Sequence, residues 1–286
     1  MPRMSDGERR SGIDRSASSS TAAPAPSAGA ADLCAAVCTF DSMRSLPRLL
    51  DSVAGWTRRV LVVDSGSTDG TVDFARSRGC EVVHRTWEGM LSQRAFCLEQ
   101  AARHAWILLL DSDESVEPDL RDAMLDAMAR NESGVDAFEL NRKVFFEGDW
   151  LRHTFQPEYR VRLVRGGRGR VAGSGPSGKG IHDRIEVPGR VARLRGTLRH
   201  DSWFDLEDFW TRSIRYSRDA ARTGERGGGV FDVLFRPGLA FLKQYLLRRG
   251  FLDGRRGFLM AAMLAVGNGM KQITIMTTRW KERARR

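Results

Sequence analysis

The stretch that most constrains the fold is Trp106–Glu114, in which an apolar run leads directly into acidic residues. Trp-Ile-Leu-Leu-Leu occupies positions 106–110, and Asp111, Asp113 and Glu114 follow at once. A continuous apolar run of this length is typical of a strand buried on both faces of a parallel sheet. The acids then lie at the carboxyl end of a strand, where open α/β sheets bind their ligands. Because clustered carboxylates repel one another and lose hydration there, the pattern predicts a divalent cation that holds a diphosphate.

The residues around this stretch predict alternating strands and helices. Apolar runs that predict strands occupy 33–39, 59–63, 81–84 and 106–110, and helical spacing begins near residues 46, 71, 90 and 118. This order predicts an α/β fold with a Rossmann-like, mostly parallel sheet that helices flank. Asp64 ends the second strand as Asp111 ends the fourth. We therefore expect both acidic loops to face one cleft at the carboxyl edge of the sheet.

The second half of the chain has a different texture. Residues 137–142 and 159–165 mix apolar and basic side chains, as half-exposed strands do. The glycine-rich stretch 166–180 predicts a loop, either a flexible cover over a ligand or a plain surface loop. The four cysteines lack the spacing of a zinc site or a disulfide framework, which indicates small buried residues in a reducing compartment. His153 and His200 are interpreted as structural histidines.

The positive charge lies at the C-terminal end of the chain. Residues 206–286 contain 17 Lys and Arg against 7 Asp and Glu, whereas the two signs balance over residues 1–205. Segments 231–247 and 251–266 combine apolar and basic residues. They predict helices in a membrane interface or, alternatively, helices packed on the main domain with a solvated basic face. The apolar run 258–266 meets Gly267, short of the ~20 residues that a spanning helix needs, so no full transmembrane helix is expected.

These observations predict three regions. Residues 1–31 are rich in Ser, Ala, Arg, Gly and Pro, with no apolar core of a secretory signal, and are expected to be a disordered tail. Residues 32–205 form the α/β domain, and residues 206–286 form a basic amphipathic helical region that associates with a membrane.

Several motifs together resemble one family. They are Val62–Thr71, Trp87-Glu88-Gly89, Ser92-Gln93-Arg94, Leu109–Glu114, Pro157–Leu163, Ile181-His182-Asp183 and Gly250–Gly254. Over about residues 33–280 the chain resembles the family 2 glycosyltransferases with the GT-A fold, in the bacterial branch that includes lipopolysaccharide core β-glucosyltransferases.

The resemblance implies roles for side chains that would hold the sugar donor. Asp41 and Asp64 would contact the nucleoside, and Asp111 would lie near the ribose. Arg94 would approach the phosphates, for which a bidentate guanidinium is well suited. The alternative interpretation of Asp64 is a cap of its own loop, and the alternative for Asp111 and Asp113 is a pair of acids at the entry of the helix that Pro118 begins.

The resemblance also implies a metal and a base. Asp113 would bind Mg²⁺ or Mn²⁺, and His182 would help hold the metal or the diphosphate unless it is a hydrogen-bonded loop histidine. Glu158 would be the general base that deprotonates the acceptor hydroxyl in an inverting transfer. The alternative for Glu158 is a surface ion pair with Arg160 or Arg162.

The function implied is a metal-dependent inverting glycosyltransferase. It would move a sugar from a nucleotide-diphospho-sugar to a lipid-linked or cell-envelope glycan at an anionic membrane surface, as a cytoplasmic protein peripheral on the inner face of the cell membrane. One alternative is a nucleotidyltransferase acting on a sugar phosphate, but residues 38–41 lack its glycine-rich phosphate loop. The other is a non-enzymatic basic membrane-binding protein; no nucleic-acid module is recognised, so no nucleic acid is expected as a partner.

Overall fold

The computed structural model describes residues 31–131, 133–173, 183–203 and 205–284. Its first half is a parallel sheet in the order β3-β2-β1-β4, which confirms the predicted mostly parallel arrangement. The four strands are β1 (Ala31–Thr39), β2 (Thr57–Asp64), β3 (Glu81–His84) and β4 (Trp106–Asp111). Strands β1 and β4 are central and almost wholly buried, as the continuous apolar run predicted.

Helices cover both faces of this sheet. They are α1 (Leu46–Val53), α2 (Thr71–Ser77), α3 (Met90–Ala101) and α4 (Pro118–Arg130). Helices α1 and α4 pack on one face, where Leu46, Leu49 and Leu120 are fully buried. Helix α3 packs on the other face, through Cys97 and Ala101. Successive residues of β1 and β4 therefore contribute to two separate cores.

Later strands extend the sheet beyond β4, in the order β4-β8-β6-β12-β5. They are β5 (Glu114–Val116), β6 (Val135–Phe146), β8 (Tyr159–Arg165) and β12 (Leu198–His200), and β7 (Asp149–Trp150) and β11 (Arg190–Arg193) pair with β6. Strand β8 runs antiparallel between β4 and β6. Because of this direction, the residues just before β8 lie at the carboxyl edge of the parallel strands.

The prediction of a loop throughout residues 166–180 is wrong in part. Strand β9 (Arg170–Gly173) pairs antiparallel with β10 (Asp183–Glu186). The local glycine signal is overridden because a strand distant in sequence supplies the hydrogen bonds. Residues 174–180 lie outside the described residues.

The C-terminal region is helical. It comprises α5 (Leu206–Arg222), α6 (Val230–Leu242), a π-helical turn (Lys243–Leu247), a 3₁₀ turn (Gly250–Asp253) and α7 (Gly254–Ala284). Helix α7 packs against α5 and α6, and it buries Met260, Met263 and Ile275. The division of the chain into three regions stays a prediction.

Helix α7 continues through Gly267-Asn268-Gly269, where the sequence predicted that the apolar run would stop. Glycine inside a helix costs about 1 kcal/mol relative to alanine. Packing against neighbouring helices offsets this cost: Gly267 lies against Ser213 and Phe209 of α5, and Gly269 lies against Pro237 of α6. The continuous segment Gly250–Ala284 has a window with a mean hydropathy of 1.2, so it is long and apolar enough to cross a membrane by length and composition. The expectation that no segment is long and apolar enough to span a membrane is therefore wrong. Core helices of soluble proteins can have the same length and composition, and 28% of this window is buried.

The central position of β4 predicts a large effect of truncating its side chains. Leu109 is fully buried, so Leu109→Ala should lower the free energy of unfolding by about 3 kcal/mol through lost burial and the cavity left behind. Urea denaturation measures this loss. The control Val191→Ala truncates a side chain that is 41% exposed and should cost less than about 1 kcal/mol. Equal losses in the two variants would contradict the assignment of β4 as the centre of the core.

Candidate active site

Acidic side chains gather where three parallel strands end. In the strand register, Thr39 of β1 lies beside Asp64 of β2, and Cys38 of β1 lies beside Asp111 of β4. The two predicted acidic loops therefore flank the end of the strand between them. Since open α/β sheets bind ligands at this edge, it is the candidate active site.

Asp64 organises the loop that follows β2. Its carboxylate accepts hydrogen bonds from the Thr39 hydroxyl (2.8 Å), the Ser67 hydroxyl (2.5 Å) and the backbone N–H groups of Gly66 and Ser67 (2.8 Å each). The residue is only 2% exposed. Burial alone would raise the pKa of Asp64, but these hydrogen bonds outweigh burial and lower it. In this structure Asp64 caps its own loop, and its contact with a nucleoside stays a prediction.

Asp41 joins the loop after β1 to the loop after β2. Its carboxylate accepts a hydrogen bond from the Thr68 N–H (2.8 Å), and its own N–H donates to the Ser67 hydroxyl (2.8 Å). The next residue, Ser42, donates from its hydroxyl to the Ser112 hydroxyl in the loop after β4 (3.0 Å). The three loops that follow β1, β2 and β4 thus form one hydrogen-bonded rim.

Asp111 lies between two arginines. Arg94 of α3 donates one N–H group to both carboxylate oxygens (2.5 and 2.7 Å), and Arg162 of β8 donates to the second oxygen (2.6 Å). Burial alone would raise the pKa of Asp111, but the charges of Arg162 and Arg94 outweigh burial and hold it far below its usual range. The Asp111 carboxylate is therefore ionised at neutral and mildly acidic pH.

A chain of ion pairs connects Asp111 to Glu158. Arg162 also donates to Glu114 (2.7 Å), which is almost fully buried at the start of β5. Arg142 of β6 lies 3.4 Å from Glu114 and donates to Glu158 at 2.6 and 3.3 Å. Asp111, Glu114 and Glu158 are therefore held by arginines that alternate with them.

Glu158 itself accepts hydrogen bonds from two arginines. Besides Arg142, Arg160 donates to it at 3.0 Å, and its side chain is 22% exposed. Burial alone would raise the pKa of Glu158, but Arg142 and Arg160 outweigh burial and lower it. Of the two ion pairs that the sequence suggested, the one with Arg160 is present in the structure. The catalytic role of Glu158 stays a prediction.

Asp113 faces a histidine and an arginine. The Nε2 atom of His200 lies 3.6 Å from the carboxylate, and Arg212 of α5 lies 3.8 Å from it. The Ser202 hydroxyl lies 2.6 Å from Nδ1 of His200 and 3.3 Å from Nε2 of the same ring. Burial alone would raise the pKa of Asp113, but His200 and Arg212 outweigh burial and lower it.

Among the described residues, few protein ligands for a divalent cation lie around Asp113. Within the ranges that the structure describes, no three His, Cys, Asp or Glu side chains lie close enough to form a metal cage. Mg²⁺ commonly binds through one or two carboxylates, water and substrate phosphates rather than through a full protein cage. Asp113 supplies one such carboxylate and fits that smaller requirement, and its role as a metal ligand stays a prediction. His182 lies outside the described residues.

Sequence reasoning missed most of the cations and one histidine at this edge. They are Arg142, Arg162, His200 and Arg212. The mixture of apolar and basic residues in β8 predicts a half-exposed strand, but Arg162 is only 4% exposed. Its neighbours Val161 and Leu163 point to the opposite face of the strand, so the local pattern does not distinguish a buried arginine from an exposed one.

Removal of the Asp111 charge should destabilise the protein. Asp111→Asn leaves two largely buried guanidinium groups with one anion fewer, so we expect a loss of about 3 kcal/mol in the free energy of unfolding. Denaturant titration measures the loss. The control Arg193→Gln removes an ion pair with Glu139 in which the arginine side chain is 66% exposed, and should change stability by less than about 1 kcal/mol. Unchanged stability of Asp111→Asn would refute the structural importance of this carboxylate.

Known proteins are similar to this chain over most of its length. A glycosyltransferase of Rickettsia typhi described as uncharacterised is 27% identical over 80% of this chain and 81% of its own length. The lipopolysaccharide core biosynthesis glycosyltransferase LpsC of Rhizobium meliloti is 26% identical over 72% of this chain and 78% of its own length.

Solved structures of low sequence identity are also similar to this chain. A mannosyltransferase from Pyrobaculum calidifontis, solved with GDP-Man and Mn²⁺, gives a TM-score of 0.47 at 13% identity, over 92% of this chain and 90% of that one. The TarS protein of S. aureus (residues 1–349) gives a TM-score of 0.43 at 16% identity, over 89% of this chain and 92% of that one.

The family profile described as glycosyl transferase family 2 matches residues 34–182, which is more than half of the chain. The matched region contains the parallel sheet, the acidic edge and Glu158. The resemblance and the GT-A fold class inferred from sequence are therefore confirmed. The chain belongs to glycosyl transferase family 2.

Proposed function

We propose that this protein is an inverting, metal-dependent glycosyltransferase that uses a nucleotide-diphospho-sugar. The observation that carries the proposal is the placement of Glu158 at the edge where Asp64, Asp111 and Asp113 lie. The antiparallel direction of β8 brings this carboxylate to the site. A donor site and a base are both needed at one cleft, because an inverting transfer deprotonates the acceptor opposite the leaving group.

The donor half of the site is the hydrogen-bonded rim after β1, β2 and β4. We assign the nucleoside contacts to Asp41 and Asp64 and the ribose contact to Asp111. Arg94 remains the predicted phosphate contact, and its bonds to Asp111 hold its guanidinium at the edge where the diphosphate is expected. The pairing also keeps Asp111 ionised, so that it can accept hydrogen bonds from ribose hydroxyls.

The metal half of the site is Asp113 with a histidine. We assign Asp113 as the carboxylate ligand of Mg²⁺ or Mn²⁺, and His200 as the nearest described imidazole, beside the earlier assignment of His182. When bound, such a cation neutralises charge on the departing diphosphate as a Lewis acid. The short distance between Nε2 of His200 and the Asp113 carboxylate, 3.6 Å, supports this assignment.

The acceptor half of the site is Glu158. Its ion pairs keep the carboxylate deprotonated, as a base must be before it accepts a proton. The same pairs weaken it as a base, since a proton must compete with Arg142 and Arg160. We infer that the incoming acceptor hydroxyl replaces part of this pairing.

The acceptor class is proposed from the relatives and from the charge of the chain. The similarity to a lipopolysaccharide core biosynthesis glycosyltransferase supports a lipid-linked or cell-envelope glycan as acceptor. The excess of Lys and Arg over residues 206–286 supports an anionic membrane surface as a partner. We place the protein at the cytoplasmic face of the cell membrane, as a peripheral protein. Family membership favours glycosyl transfer over the nucleotidyltransferase and the non-enzymatic alternatives.

The assignment of Asp113 predicts loss of transfer. Asp113→Asn should lower Mn²⁺-dependent sugar release or transfer by about 100-fold or more, because an amide oxygen carries no charge for the metal. The assay screens UDP- and GDP-sugars with a membrane extract as acceptor. The control Asp122→Asn alters an exposed acid of α4 and should leave the rate unchanged. Full activity of Asp113→Asn would show that the metal assignment is wrong.

The pairing of Glu158 predicts a shift of the pH profile. Because Arg142 lowers the pKa of Glu158, Arg142→Gln should raise that pKa and move the acidic limb of kcat/KM to higher pH. The rate at low pH then falls more than the rate at high pH. The exposed Arg193→Gln should leave the profile in place. A uniform loss at all pH values would indicate that Arg142 only supports the fold.

A further inference from the structure

Helix α6 presents an apolar face that the described residues leave uncovered. The outer stripe consists of Phe231, Leu234, Phe235, Leu239, Leu242 and Leu246. These side chains are 45–77% exposed, and they recur at intervals of one, three and four residues, so they share one side of the helix. None of the residues of α6 is buried, although the helix packs against α7. An exposed apolar surface of this extent marks a binding surface.

The outer stripe adjoins an apolar groove between α6 and α7. Pro237 forms the α6 wall, and Val266, Gly269 and Ile273 contribute to the α7 wall. The groove has a volume of about 500 Å³. Val266 and Ile273 are 57% and 47% exposed. Leu234 lies one turn before Pro237, so the apolar surface continues from α6 across the groove to α7.

The charge around this surface is positive. Residues 230–256 contain six Lys and Arg against two Asp and no Glu. Asp232 is paired with Arg236 at 2.6 Å, and the Asp253 side chain is only 2% exposed. Lys243, Arg249 and Arg255 are exposed. A second copy of the chain would bring the same positive residues together, whereas anionic lipid headgroups complement them.

We propose that α6 lies flat on an anionic lipid bilayer with its outer stripe in the interface. We further propose that this docking restrains the loop before Glu158, residues 152–156. The first part deepens the membrane partner of the proposed function and stands without the proposed chemistry, whereas the second part rests on the proposed role of Glu158. A flat orientation follows from the packing, since α7 buries Met260, Met263 and Ile275 within the protein and would have to leave α5 to cross the bilayer.

The segment just after α6 holds the loop before Glu158. The Asp253 carboxylate accepts hydrogen bonds from the N–H groups of Arg152 (2.9 Å), His153 (3.1 and 3.2 Å) and Thr154 (2.8 Å). Arg248 donates to the Gln156 carbonyl at 2.6 Å.

Gln244 completes this attachment by accepting a hydrogen bond from the Phe155 N–H at 3.3 Å. Residues 152–156 are thus held from one side by residues 244–253. Leu246, Leu247, Phe251 and Leu252 in the holding segment are themselves 46–80% exposed. Contact between this segment and a bilayer would therefore restrain residues 152–156, which lead to Glu158, through direct hydrogen bonds.

Vesicle sedimentation with the full-length protein tests the docking. Vesicles of phosphatidylcholine with phosphatidylglycerol should bind the protein at least about tenfold more tightly than phosphatidylcholine alone, and added salt should weaken the binding. Phe235→Glu and Leu239→Glu place a charge in the outer stripe and should weaken binding about tenfold. Both side chains are more than half exposed, so these variants should fold. Val191→Glu, on exposed β11, is the matched control and should bind like the original protein.

Three results would overturn the proposal. The first is absence of binding to anionic vesicles, or equal binding by the Glu variants. The second is a lipid-free dimer that the same variants dissociate, which would assign the surface to a second copy. The third is vesicle-bound protein that alkaline carbonate does not release, which would indicate a spanning α7. Asp113→Asn should bind vesicles normally, so a failure of the proposed chemistry is separable from a failure of docking.

Hydrogen exchange tests the link to the Glu158 loop. Anionic vesicles should slow exchange of the amides of Arg152, His153 and Thr154, since docking restrains the segment that holds them. Asp253→Asn weakens these bonds; it should still bind vesicles, but the slowing should disappear. The exposed Asp122→Asn serves as the control. Vesicle binding without slower exchange in the original protein would refute the link, whatever the transfer activity.

Discussion

The site depends on the ionised carboxylate of Asp111 and its two arginines. Arg94 comes from α3 and Arg162 from β8, so one carboxylate joins three elements that lie far apart in sequence. Burial of a single charge is unfavourable, and only this pairing allows Asp111 to stay ionised at the end of a core strand. The Asp111 carboxylate therefore links α3 and β8 at the sheet edge, in addition to their packing in the core.

The same interaction continues through Glu114 and Arg142 to Glu158. Acids and arginines alternate along this chain of contacts, so each charge lies beside one of opposite sign. A change of charge at Asp111 therefore alters the electrostatic surroundings of Glu158, and a change at Glu158 alters those of Asp111.

The C-terminal helices add a second constraint on the base. Asp253 and its neighbours fix the backbone that leads to Glu158, and they do so from the segment that connects α6 to α7. The helical region therefore holds the backbone that leads to Glu158. The proposed membrane docking would act on this carboxylate through the same hydrogen bonds.

Much of the parallel half could be predicted from sequence, because its signals are local. The apolar run 106–110 is a buried strand, and the spacing of Leu46, Leu49 and Val53 gives the buried side of α1. The C-terminal half was less predictable. The glycines at 267 and 269 predict a stop, but α7 continues through them because it packs against α5 and α6, which local sequence does not reveal.

The sequence by itself determined the parallel sheet, the acidic edge and the family, since each depends on short motifs and on the strand period. Tertiary structure alone decided which charges meet. The antiparallel course of β8 carries Arg162 to Asp111 and Glu158 to the same edge, and β12 places His200 near Asp113. Strand direction and neighbours arise from long-range pairing, for which spacing along the chain contains no signal.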